Sequence, residues 1–209
     1  MLVRTIISGL FASLLVLGSS SSGAEELELL PLVPNYVGLT SKPHPSLCWI
    51  LTGEPPERAT MMLTLNAPDQ LKPLVEVQLP SSVLTESYHC VNLKEYGFSL
   101  EPNVEYRWSI SIVHQDRFLR SGDRVVSGMI ERCDVTDCLI EFMPLHCDVE
   151  IAKSLARAGL WYDSISCLCD LMKSTPYDPS PRRLLSSFMN HSGWRKIPES
   201  WQNLYFYQE

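Results

Sequence analysis

Apolar and polar residues alternate along the first two thirds of the chain, in short runs that predict β-strands. In the clearest run, VEYRWSISIV, the apolar face comprises Val104, Tyr106, Trp108, Ile110 and Ile112. Similar runs cover residues 59–66, 75–79 and 88–93, with LCWIL before them and RVVSGMIE after them. Clusters of proline, glycine, asparagine and aspartate separate the runs and are typical of turns. Six or seven short strands are therefore predicted.

This regular spacing of strands favours an antiparallel β-sandwich of immunoglobulin-like type. A small open barrel is the alternative architecture, because alternation along single strands does not reveal the order in which they pair.

The hydrophobic period changes to that of an α-helix after Asp148, which is expected to cap a first helix. Gly159 should end that helix in a left-handed conformation. A second helix is predicted over residues 161–174, and Ser180 with Pro181 forms a cap and first-turn pair for a third helix. The predicted fold class is therefore α+β, a sandwich followed by a helical hairpin and a third helix.

The first 24 residues have the three parts of a secretory signal peptide: Arg4, an apolar run too short to span a bilayer, and small residues up to Ala24. No later apolar run reaches the length of a membrane span, so we expect a secreted or periplasmic protein without a transmembrane anchor. The predicted organisation is a signal peptide (1–24), an extended leading segment (25–45), a β-sandwich (46–147), a helical part (148–193) and an aromatic tail (194–209).

The charge of the chain argues against nucleic acid as a partner. Loss of Arg4 with the signal peptide would change the formal net charge from -7 to about -8. A nucleic-acid-binding surface needs a basic face, and the arginines of residues 117–124 are interleaved with Asp116 and Asp123.

Seven cysteines follow the signal peptide, and an odd number leaves at least one of them outside any intramolecular disulfide. The candidate disulfide cysteines are Cys133, Cys138, Cys147 and Cys167, because export favours disulfides. Three of these, with His146, also have the side-chain types of a zinc site, but their spacing matches no recognised zinc-finger pattern. We therefore expect neither a metal site nor a cofactor.

Cys167 and Cys169 lie in the predicted second helix, where two positions correspond to a rotation of about 160°. They should therefore neither pair with each other nor bind one metal ion. Cys169 falls on the buried apolar stripe of the helix, whereas Cys167 is the better candidate for a disulfide to another segment.

Four segments of the chain together resemble a family of cyanobacterial domains of unknown function, number 928 in its series. The segments are GLT at 38–40, YRWSISIV, DRVVSGMIER and ARAGLWYDSISCL, and their most specific parts are Trp108 and residues 159–163. The resemblance covers about residues 36–190. It implies an exported protein with a strand-rich first part and a helical end, and it implies no particular activity.

No catalytic motif is found in the sequence: no serine lies in a G-x-S-x-G context, and the five histidines are scattered. We therefore expect a non-catalytic module that binds a protein or a glycan at the cell envelope. The alternative is an envelope hydrolase or thiol-dependent enzyme that uses Cys167 or a residue near His114. The aromatic tail WQNLYFYQE is a candidate part of a binding groove.

Overall fold

A computed structural model describes residues 27–68, 70–85, 87–114, 124–134 and 146–191. Within these residues, strands followed by helices confirm the predicted mixed α+β content. The strands are β1 (Glu28–Pro31), β2 (Gly38–Thr40), β3 (Ser46–Thr52), β4 (Ala59–Asn66), β5 (Val75–Gln78), β6 (Ser87–Asn92), β7 (Glu105–His114) and β8 (Arg124–Arg132). The α-helices are α1 (Val149–Arg157), α2 (Trp161–Ser174) and α3 (Ser180–His191). Short 3₁₀ helices span Ser81–Val83 and Leu93–Tyr96.

The strands form two sheets, one of three strands in the order β1-β3-β6 and one of five in the order β2-β8-β7-β4-β5. Strands β1 and β2 lie in the leading segment of residues 25–45, and each forms an edge of one sheet. The pairing of β2 with β8 is parallel, whereas the other pairings between these strands are antiparallel. The expectation of a wholly antiparallel sandwich is therefore wrong at this edge, because a three-residue strand carries no sequence signal of its direction.

In β4 and β7 the apolar faces predicted from the sequence point inward, whereas the burial pattern of β6 does not alternate. In β7, Tyr106, Trp108, Ile110 and Ile112 are each at most 3% exposed, and in β4 the inward residues are Met61, Leu63 and Leu65. Burial of one face of each strand supplies much of the apolar area that stabilises the fold, at about 25 cal/mol per Å².

Strand β3 differs from these strands because it is buried on both faces from Leu47 to Thr52. Helix α2 contacts β3 on one face, and the rest of the core covers the other. This explains why LCWIL is a continuous apolar run rather than an alternating one.

Local signals set the ends of the helices. The Asp148 carboxylate accepts a hydrogen bond from the Ile151 backbone N–H at 2.8 Å and caps α1, as predicted. Gly159 has a φ of 82°, and the α2 boundaries agree with those predicted. Ser180 is itself the first residue of α3, not the residue before it as predicted, and Asp178 accepts a hydrogen bond from the Ser180 N–H at 2.9 Å. This bond lowers the pKa of Asp178.

Helix α2 is the centre of the helical layer, and its residues 161–169 are all buried. It packs against α1, α3, β2 and β3, so more than the predicted apolar stripe is covered. In the described parts of the chain, each helix is too short or too polar to cross a bilayer.

Candidate functional site

The first turn of α2 holds the helical layer against the two sheets. The indole N–H of Trp161 donates a hydrogen bond to the Leu32 carbonyl at 3.0 Å, and its ring packs 5.7 Å from that of Phe188. Trp161 therefore joins α2 both to the residue after β1 and to α3.

Tyr162 links α2 to β7 and β8 through one hydroxyl group. The hydroxyl accepts a hydrogen bond from the Trp108 indole N–H at 2.8 Å and donates one to the Met129 carbonyl at 2.9 Å. Tyr162 is 1% exposed and Trp108 is 0% exposed, so these bonds satisfy polar groups that water does not reach. Burial raises the pKa of Tyr162 well above its ordinary value.

Two glycines leave the space that these aromatic rings occupy. A Cβ atom at Gly38 would lie 2.8 Å from Cε2 of Tyr162, and one at Gly128 would lie 2.9 Å from Nε1 of Trp108. Larger residues at either position would force the rings to move.

Asp163, the next residue of α2, is a carboxylate that is 3% exposed. It accepts hydrogen bonds from the Ser41 backbone N–H at 2.8 Å and from the Ser41 hydroxyl at 3.2 Å, and the Lys42 ammonium lies 3.8 Å away. A buried carboxylate is tolerated when donors and an opposite charge surround it. The contact fixes α2 to the residues that follow β2.

We call Gly38, Ser41, Trp108, Tyr162 and Asp163 the docking junction. Trp108, Tyr162 and Asp163 belong to the most specific parts of the family resemblance, Gly38 belongs to its GLT segment, and Ser41 follows that segment. The arrangement positions a helix on two sheets.

Cysteines form a second group of contacts around α2. Cys147, just before α1, forms a disulfide with Cys167, with a Cα–Cα distance of 5.6 Å. Cys48 of β3 forms a disulfide with Cys90, its direct partner on β6, with a Cα–Cα distance of 4.1 Å. Cys169 is a free thiol that is 1% exposed, and burial raises its pKa to about 12.

The structure brings together only some of the residues that the sequence pointed to. Cys147 and Cys167 meet, whereas Cys133 is disulfide-bonded and Cys138 lies outside the described residues. Cys147 is therefore not available to a zinc site in this oxidised state. His146, which is exposed, lies 3.6 Å from the Asp148 carboxylate.

The Cys48–Cys90 disulfide and the docking junction were missed in the sequence. Two cysteines, each inside a strand-forming run, were the available signal for the disulfide. Nothing local showed that β3 and β6 would be neighbours, because that pairing is made between distant parts of the chain.

Histidines that the structure describes are not paired with a nucleophile through their hydrogen bonds. Nδ1 of His44 donates to the Phe98 carbonyl at 2.8 Å, and Nε2 of His89 donates to the Thr85 carbonyl at 2.7 Å. Burial lowers the pKa of His89, whose ring lies 5.8 Å from that of Trp49. The side chain of His114 and the aromatic tail lie outside the described residues.

An open groove of about 530 Å³ lies between the starts of α1 and α3. Its charged residues are Glu150, Lys153, Asp178 and Arg183. Glu150 and Lys153 form an ion pair at 2.6 Å. The residues that line the groove are both acidic and basic, and they include no histidine or cysteine.

The fold and the docking junction define a mixed α+β domain in which a buried helix is docked on two sheets. The family described as Domain of Unknown Function (DUF928) matches residues 17–200, and the chain belongs to this family. No curated protein matches the sequence. Among solved structures, an engineered protein matches with 9% identity and a TM-score of 0.36, over 53% of this chain and 21% of that one.

Proposed function

We propose that this protein is an exported, non-catalytic module that binds a protein or a glycan at the cell envelope. The observation that carries the proposal is the docking junction. Trp108 and Tyr162, which belong to the most specific parts of the family resemblance, are buried and hydrogen-bonded to each other, so they build the framework and leave recognition to the surface. In an enzyme, the residues most specific to the family would instead be expected to line a cleft.

The strand order supports the proposed immunoglobulin-like sandwich, an architecture common among binding modules. The order β1-β3-β6 corresponds to strands A, B and E of that fold, and β8-β7-β4-β5 corresponds to G, F, C and C′. Both sheets contribute to one core. Fold alone does not define function, so this likeness adds to the argument from the junction and does not replace it.

The disulfides support the proposed export. Cys48–Cys90 and Cys147–Cys167 join segments 42 and 20 residues apart in the chain. Such bonds persist in oxidising compartments such as the periplasm and are rare in the cytosol. They agree with the predicted signal peptide, and the family resemblance favours a cyanobacterial cell as the source.

The state of the thiols disfavours the alternative of a thiol-dependent enzyme. Cys167 is engaged in a disulfide, and Cys169 is buried with a pKa raised to about 12. Since the thiolate is the nucleophile, neither cysteine is activated in this state.

Two exposed tyrosines are the candidate contact residues. Tyr36, between β1 and β2, is 53% exposed, and Tyr177, between α2 and α3, is 84% exposed. Exposed tyrosine combines an apolar ring with a hydrogen-bonding hydroxyl, which suits both protein and sugar surfaces.

Affinity purification from the envelope fraction of the native cell tests the proposal. The tagged wild-type protein is compared with Tyr36→Ser/Tyr177→Ser and with Leu71→Ser, a control at another exposed position. We expect the wild type and the control to enrich the same protein or glycan, and the double variant to enrich it at least tenfold less. Enrichment of nothing above background, or turnover of an envelope substrate by the purified protein, would contradict the proposal.

A further inference from the structure

The sulfur atoms of Cys48, Cys90 and Cys169 lie within 4.8 Å of one another. We call these residues the three-sulfur cluster. They come from three elements, β3, β6 and α2. Cys48 and Cys169 are each 1% exposed, and Cys90 is partly buried. The cluster therefore lies where the helical layer meets the three-stranded sheet.

Contacts other than the disulfide also hold the backbone around the cluster. Cys48 and Cys90 are direct partners in a six-residue antiparallel register between β3 and β6. Cys169 is carried by α2, whose first turn is fixed by Tyr162 and Asp163. The three sulfur atoms should therefore stay near one another when the disulfide is opened.

We propose that the reduced three-sulfur cluster is a binding site for a soft monovalent cation, Cu(I). The site forms when a dithiol opens the Cys48–Cys90 disulfide. The dithiol gives up two electrons and two protons and becomes a disulfide, while Cys48 and Cys90 become thiols. Cu(I) then binds the three sulfur atoms, and the thiol protons that it displaces go to solvent. This inference goes beyond the proposed binding function and concerns the form of the protein in which the Cys48–Cys90 disulfide has been reduced.

The ligand set favours Cu(I) over other cations. Thiolates select soft metals such as Cu(I) and zinc, whereas magnesium and calcium take oxygen ligands. Structural zinc is almost always bound by four ligands, and the cluster supplies three. A trigonal site with metal–sulfur bonds of about 2.3 Å requires sulfur atoms about 4 Å apart. Cys169 already lies within 4.8 Å of the other two, and Cys48 and Cys90, which are bonded to each other here, would have to move apart on reduction.

One basic side chain lies close to the cluster on the same helix. Lys173 follows Cys169 by four residues in α2, which is about one helical turn. Cys48 and Cys169 are buried, so water and oxidants would not reach a bound ion from their side of the cluster.

The test measures Cu(I) binding to the full mature chain in competition with a coloured Cu(I) chelator. The protein is reduced with a phosphine, which is removed before Cu(I) is added because phosphorus is itself a soft ligand of Cu(I). The variants are Cys169→Ala and Cys169→Ser, and the matched control is Cys147→Ser/Cys167→Ser, which removes the other described disulfide. Circular dichroism of each reduced protein checks that it is folded, and the Cys169 variant that remains folded is used.

We expect the reduced wild type and the Cys147→Ser/Cys167→Ser control to bind one Cu(I) with equal affinity. The Cys169 variant and the oxidised wild type should bind at least tenfold more weakly. Equal binding by the reduced wild type and the Cys169 variant would overturn the proposal. Stoichiometric zinc that Cu(I) fails to displace would overturn the assignment of the cation.

Discussion

At the scale of single residues, Tyr162 connects three elements through one buried hydroxyl. Tyr162→Phe removes the acceptor for the Trp108 indole N–H and the donor to the Met129 carbonyl. Leaving buried polar groups unpaired costs about 1–3 kcal/mol, so we expect a loss of unfolding free energy of that size in urea denaturation. Tyr177→Phe is the matched control, because the same change at an exposed position should have an effect within about 0.5 kcal/mol. Equal effects of the two changes would show that the junction hydroxyl is not structural.

His89 gives the fold a dependence on pH. Burial lowers its pKa in the folded state, so the unfolded chain binds the proton more readily. Stability from this group is present above the unfolded pKa of about 6.5 and is lost as the pH falls below it. We expect the urea midpoint to decrease from pH 7 to pH 5, and to decrease less in His89→Gln. An identical pH slope in the two proteins would contradict this assignment, and an NMR titration of His89 gives the pKa directly.

At the scale of elements, the start of α1 depends on the Asp148 cap. Asp148→Ala removes the acceptor for the Ile151 N–H and should lower stability by about 1 kcal/mol. Asp148→Asn keeps a side-chain oxygen and should cost only a few tenths of that amount. Thermal denaturation of both variants measures the difference. An asparagine variant as unstable as the alanine variant would assign the loss to charge and not to capping.

Sequence alone was sufficient where a signal is local. Alternation placed the buried face of β7, and Asp148 and Gly159 marked the ends of α1. It was insufficient where a contact joins distant segments. Neither the parallel pairing of β2 with β8 nor the contact of Asp163 with Ser41, 122 residues away, has a local pattern.

In the candidate site, too, the sequence predicts local features but not contacts between distant segments. The sequence placed Cys167 and Cys169 on opposite faces of one helix. In the structure, Cys167 is bonded to Cys147, and Cys169 lies beside Cys48 and Cys90. The partner of Cys167 was among four candidates, but the bond of Cys48 to Cys90 required the order of the strands. Burial of Asp163 was also hidden, because an isolated aspartate on a helix is usually exposed.

At the scale of the whole molecule, we propose an exported module whose buried α2 is fixed by the docking junction and by disulfides. The two described disulfides should each add to stability, by about 3–4 kcal/mol for loops of this length. Such a framework suits a protein that must stay folded outside the cytosol.

Peptide mass mapping of the protein isolated from its native cell, with free thiols blocked at harvest and during denaturation, tests this account most directly. We predict a mature chain that begins at Glu25, with Cys48 linked to Cys90 and Cys147 linked to Cys167. Cys169 should be blocked only after denaturation, since it is a buried free thiol. A chain that retains residues 1–24 and carries blocked thiols at Cys48, Cys90, Cys147 and Cys167 would contradict the account.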